Sequence, residues 1–140
     1  MSKANSVSGQ LLIVIARICL SVIFILAGFD KIVSFTAVAN NLGTLNVPYA
    51  KLILGVAVAF EFGGGLFLLL GWHARMGAWM LIIFTLLATV LFHAFWELDG
   101  AAAATHLQHF LKNLTMVGGL LYVAVFGPGK ASLDNFQGRS

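Results

Sequence analysis

Charge is what this sequence has least of. Among 140 residues, Asp, Glu, Lys and Arg together make up 9%, against about 25% in an ordinary soluble domain. Eight Lys+Arg and five Asp+Glu are too few to coat a water-exposed surface. That excludes a typical soluble enzyme and a disordered tail. The single cysteine, Cys19, excludes an internal disulfide, a disulfide-stapled module and a C-x-x-C redox pair within this chain. It sits between Ile18 and Leu20 and reads as a small buried hydrophobe. The pI near 9.4 suggests a basic protein. The net charge is only +3 and the cations are scattered singly, which is not a nucleic-acid footprint.

What fills the sequence is apolar. Hydrophobic residues reach 60% and the mean hydropathy is +0.97. A spanning helix needs about 20 mostly apolar residues. Four segments qualify, at 11–29, 51–70, 76–96 and 107–126. A transmembrane β-barrel would show strands of roughly 10 alternating residues, and these runs are longer and do not alternate. Cys19 and Arg17 lie within the first run, and no A-x-A cleavage site follows it, so it is read as a retained anchor. Neither end carries a lipidation motif.

The connections at 71–75 and 98–105 are short. The one between the first two spans is longer. Within it Ile32, Phe35, Ala39 and Leu42 recur at helical spacing, with Ser34 as N-cap and Gly43 as a stop. This predicts a short interfacial helix. Pro48 then opens the second span and Gly127-Pro128-Gly129 ends the fourth. The fold class is therefore all-α: an antiparallel four-helix transmembrane bundle with an interfacial helix after the first span, in one domain over 1–140. With the N-terminus inside, Lys3, Arg75, Lys130 and Arg139 lie on the cytoplasmic side, against Lys31 and Lys51 outside. The positive-inside rule then places both termini in the cytoplasm.

A charge at the bilayer centre costs about 2.5–3.5 kcal/mol on translocon scales, so Arg17, Glu61 and Lys112 each need a reason. At 1.5 Å per residue, Arg17 lies about 9 Å and Glu61 about 13 Å from the same membrane face. An Arg17–Glu61 pair is expected, either fixing helix register or serving a proton or ligand site. Arg17, Ser21, Phe24, Gly28 and Lys31 share one face of the first span. Ala57, Glu61, Gly64 and Gly65 share one face of the second, and small residues permit close approach in lipid.

A second polar group gathers at the opposite end. Thr85, Thr89, His93 and Glu97 step by four, and His109, Lys112, Asn113 and Met116 open the fourth span. Glu97 and Lys112 are within reach of a pair. Phe92, Phe95, Trp96 and Phe110 surround them, and Asp30 and Lys31 end the first span at this level. His93, Trp96, Lys112, Asn113 and Lys31 are the candidate ligand-binding residues, with His93 and Lys112 facing the carbonyls of a quinone headgroup. The alternative is an aromatic belt with snorkelled charges. His93-x3-Glu97 and His106-x2-His109 have metal-like spacing, but no H-E-x-x-H motif accompanies them and no metal is assigned.

The ordered pieces Ala16-Arg17, Ala27-Gly28-Phe29-Asp30-Lys31, Glu61 with the following glycines, Leu69-Leu70-Gly71 with Arg75, His93-Ala94-Phe95-Trp96, Phe110-Leu111-Lys112-Asn113, and Gly127-Pro128-Gly129 through Ser132-Leu133-Asp134 together resemble the DoxX family. The likeness is greatest to its YphA-like inner-membrane branch and covers Leu11 to Asp134. It implies a multi-pass protein of the bacterial inner membrane with a redox association, similar to subunits linked with thiosulfate:quinone oxidoreductase. It implies no catalytic residue, and His106 and His109 lie outside the family pattern. The expected function is a quinone- or lipid-binding accessory subunit of a membrane redox system, within a larger membrane complex and without a covalent cofactor or full enzymatic chemistry of its own. Two rivals stand beside it: a structural or assembly subunit, and a small transporter using Arg17 and Glu61.

Overall fold

The structure, a computed structural model, describes residues 6–138. Lys3 and Arg139, two of the charges used above for orientation, lie outside them. Seven α-helices and two irregular helical turns follow one another, and no strand occurs among the described residues.

Helix α1 spans Val7–Val33, capped by Ser6, whose hydroxyl accepts from Gly9 N–H at 3.1 Å. Its 27 residues reach about 40 Å, beyond the about 30 Å of a hydrocarbon core. Ser34 turns the corner into α2, Phe35–Thr44, the interfacial helix read from the sequence. Ser34 makes no side-chain capping bond, and α2 runs through Gly43. The second span is composite. Helix α3, Ala50–Val58, passes through a π-turn at Ala59–Gly63 into α4, Gly64–Leu70. Gly71 leaves in the left-handed conformation, φ 63°, and α5 covers Ala74–Phe92.

Two boundaries differ from the sequence reading. The third span stops being α-helical at Phe92 rather than 96, and a 3-10 turn follows at Phe95–Glu97. Breaking there lets the chain fold back, so that Phe95 meets Phe110 at 5.4 Å between centroids. The segment 98–105, expected as a connection, is helical from Gly100, where α6, Gly100–Phe126, begins. Its four alanines have the highest helix propensity of any residue and continue the helix outward. A last short helix, α7, covers Leu133–Phe136.

Helices α1, α4, α5 and α6 pack in sequence around a core of Phe24, Leu68, Leu81, Ile82 and Leu120, while α1 and α6 touch little. We call the end carrying Val7 and Leu133 proximal and the opposite end distal. The buried face of α1 is Arg17, Ser21, Phe24 and Gly28, as its spacing predicts. Large apolar side chains such as Leu26, Leu87 and Val125 point outward, as lipid-facing residues do.

Close approach rests on glycine. A Cβ on Gly28 would stand 2.7 Å from Phe62 Cβ and 3.0 Å from its backbone. Gly28→Val therefore forces α1 away from the π-turn. We expect a loss of about 1–3 kcal/mol, the usual cost of overpacking, seen as a lower unfolding midpoint in detergent. Gly55→Ala meets nothing within 4 Å and should leave the midpoint unchanged or raised. Equal effects at both positions would contradict the packing.

Candidate functional site

Polar side chains inside the bundle form three layers. The proximal layer is built on Arg17, which is only 5% exposed. Its Nη1 donates to Pro128 O at 2.9 Å and Ala131 O at 3.1 Å, and its Nη2 to Leu69 O at 3.2 Å. Leu69 O is among the last carbonyls of α4, which have no partner within the helix, and the negative end of that helix favours a cation. Nearby, the Asp134 carboxylate accepts from His73 N–H at 2.7 Å and Ala74 N–H at 2.9 Å. It caps the start of α5 from the far end of the chain.

The middle layer is an ion pair. Lys31 Nζ lies 2.8 Å from Glu61 Oε2, and Glu61 sits in the π-turn, 4% exposed. Turns of this kind are frequent at functional positions. The expected Arg17–Glu61 pair is not formed. Gly28 stands against Phe62 and Gly65 against Ile25, so the register brings Glu61 opposite residue 29. At 1.5 Å per residue, that is about 18 Å along α1 from position 17. Glu61 does lie farther from the proximal face than Arg17, but by too much for the two to meet. Lys31 reaches Glu61 instead, and backbone carbonyls satisfy Arg17.

The distal layer joins α5 to α6. Asn113 Nδ2 donates to Thr89 Oγ1 at 2.9 Å, and Thr89 in turn donates to Thr85 O at 2.6 Å. Beyond them three imidazoles cluster. His93 stacks on His109 with centroids 5.0 Å apart and meets His106 edge-on at 5.5 Å. His93 Nδ1, His106 Nδ1 and the Thr85 hydroxyl are buried and have no hydrogen-bond partner among the described residues. Phe95, Trp96 and Phe110 pack edge to face beside the cluster. Among the described residues, no group of three or more His, Cys, Asp or Glu is arranged to hold a metal ion.

The five candidate ligand residues therefore separate. His93 belongs to the imidazole cluster and Trp96 to the aromatic wall beside it. Asn113 is committed to Thr89. Lys112 is exposed and, like Glu97, forms no ion pair among the described residues. Lys31 belongs to Glu61. His106 joins the cluster through its ring, and Asp134 is a capping residue that sequence spacing does not reveal. A carboxylate two residues after Ser132 reads from sequence as part of a local turn, and nothing local reveals that it caps a helix sixty residues earlier.

Four apolar helices of spanning length, polar groups turned inward and apolar side chains turned outward define a helical integral membrane protein. The DoxX family profile matches residues 12–94, and the chain belongs to the DoxX family. It is 34% identical over 123 residues to the inner membrane protein YphA of Escherichia coli (strain K12), covering 88% of both chains. It is 36% identical over 122 residues to the inner membrane protein YqjF of the same organism, covering 87% of this chain and 88% of that one. An uncharacterized protein of Caenorhabditis elegans, T02E1.7, is 28% identical over 94 residues, 66% of this chain and 33% of its own length. No solved structure matches. The protein is an integral inner-membrane protein.

Removing one member of a buried ion pair usually costs about 3–5 kcal/mol, whereas replacing both by apolar groups is often neutral. Lys31 is 31% exposed, so a smaller loss, about 1–3 kcal/mol, is expected for Lys31→Met. The Lys31→Met/Glu61→Met double variant should recover most of it. A thermal double-mutant cycle in detergent reads this directly, and additive losses would show that the two side chains do not interact.

Proposed function

We propose that the protein is a quinone-binding accessory subunit of a membrane redox system, with the headgroup seated at the distal ends of α5 and α6. Two buried imidazole nitrogens, His93 Nδ1 and His106 Nδ1, carry this reading, because neither has a hydrogen-bond partner among the described residues. A buried polar group left unpaired costs about 1–3 kcal/mol, so a ligand that supplies the missing bonds is strongly favoured there. A neutral imidazole donates or accepts at Nδ1 according to its tautomer. It thus matches either the carbonyl of a quinone or the hydroxyl of its reduced form. Phe95, Trp96 and Phe110 offer flat apolar surface beside these nitrogens. Lys112, exposed next to Asn113, adds a cation at the same end of α6.

A bound quinone supplies a two-electron, two-proton couple, and the electrons reach it through a partner protein. Extraction of protein purified from its native membrane measures the quinone directly. The wild type should retain roughly one quinone per chain. His93→Ala and His106→Ala should each lose most of it, at least fivefold, while His73→Ala at the proximal end keeps it. Unchanged quinone content in both distal variants, together with loss of a copurifying complex, identifies a structural subunit instead.

The proposal includes termini in the cytoplasm. Arg75 and Lys130 lie at the proximal end, whereas at the distal end the Lys31 cation is taken up by Glu61 and the exposed Lys51 and Lys112 share that end with Asp30, Glu97 and Asp99. In a Cys19→Ser background, Gln137→Cys should react with an impermeant maleimide only after cell lysis. Asp99→Cys should react in intact spheroplasts, and the reverse pattern would invert the orientation.

A further inference from the structure

The seam between α1 and α6 is open at its proximal half. A cavity of about 770 Å³ lies there, and its wall changes character along its length. Toward the bundle centre it is apolar, with Leu20 facing Gly119. Toward the proximal rim it carries Arg75, Lys130 and the backbone of Gly127-Pro128-Gly129. One lip is formed by Tyr122 and Phe126, which are 67% and 66% exposed on the outer face of α6. The opening therefore faces sideways, at the depth of the fourth span.

The charge in this wall is of one sign. No Asp or Glu lines the cavity. Arg17 contributes to the wall, yet it donates only to carbonyls, its Nε is buried with no acceptor, and it forms no ion pair among the described residues. Asp134, on the adjoining segment, is engaged by the two N–H groups at the start of α5. Arg75 lies in the first turn of α5, where the positive end of the helix dipole disfavours a cation. It lies over Gly127, where a Cβ would be 3.3 Å from Arg75 Nη2. An anion at this rim answers two conditions: the exposed Arg75 and Lys130 cations, which no carboxylate in the wall faces, and the buried Arg17 guanidinium, whose Nε has no acceptor among the described residues.

We propose that the seam seats one anionic phospholipid. Its phosphate is held at the rim by Arg75 and Lys130, and an acyl chain lies inward against Leu20 and Gly119. The volume falls within the about 300–1,000 Å³ of small-molecule sites. The site is at the opposite end from the imidazole cluster and shares no residue with it, so it stands or falls separately from the quinone reading.

The full chain in mild detergent, titrated with phosphatidylglycerol or phosphatidylcholine and followed by native mass spectrometry, tests this. One phosphatidylglycerol should bind at least tenfold more tightly than phosphatidylcholine. Arg75→Gln/Lys130→Gln alters two exposed side chains and should remove that preference while leaving helix content unchanged. Gly119→Phe, which fills the apolar half, should weaken both lipids with the basic rim intact. Equal binding of the two lipids, full retention in the rim variant, or competition by free glycerol phosphate as effective as whole lipid would each overturn the proposal. So would a partner helix cross-linked into the seam in native membranes.

Discussion

A guanidinium inside a bilayer has to be given acceptors, and the way Arg17 receives them organises the proximal end of this protein. Its three hydrogen bonds go to the end of α4 and to the segment after α6. One side chain on the first helix thereby fixes where the second span stops and how the chain turns after the fourth. The residue between those acceptors, Gly71, is left-handed and hard against the guanidinium, since a Cβ there would stand 2.5 Å from Nη1. Carbonyls at helix ends suit this role because they are already unpaired and carry the negative end of the dipole. The carbonyls take the hydrogen bonds, and the buried Asp134 carboxylate adds Coulombic attraction without a direct ion pair.

The two ends of the bundle consequently differ in kind. Proximally, arginine, lysine and backbone carbonyls meet without a free carboxylate in the seam. Distally, the polar groups are mostly neutral: threonine, asparagine and imidazole, set among aromatic rings. Between them the ion pair of Lys31 and Glu61 sits on a π-turn, held against α1 by the contact of Gly28 with Phe62. A bundle divided in this way is suited to hold an anionic group at one end and a neutral, hydrogen-bonding ring at the other. Neither task requires the chain to carry a metal or a reactive thiol.

The spans, the interfacial helix and the buried faces were legible because each depends on local periodicity. Arg17, Ser21, Phe24 and Gly28 announce their shared face by spacing alone. The glycines after Glu61 announced close packing, and Gly64 and Gly65 do lie under Leu81 and Ile25. The ion pair was not legible, because partner choice depends on the register between two helices. A shift of a few residues along α1 exchanges Lys31 for Arg17. The π-turn was equally hidden: its sequence, Ala59–Gly63, follows the same apolar pattern as the helices on either side. The alanines at 101–104 were misread as a link because they are too small to look like a span, although nothing about them opposes a helix.

The clasp of Asp134 on the start of α5 bears on how the molecule is made. The two N–H groups it accepts belong to the tight bend between the second and third spans, and that bend leaves the ribosome long before its cap is synthesised. Until the segment after α6 has been made, water has to serve those donors in place of the carboxylate. The segment after α6 therefore acts as a latch, so that the proximal face of the bundle closes only after all four spans have been made.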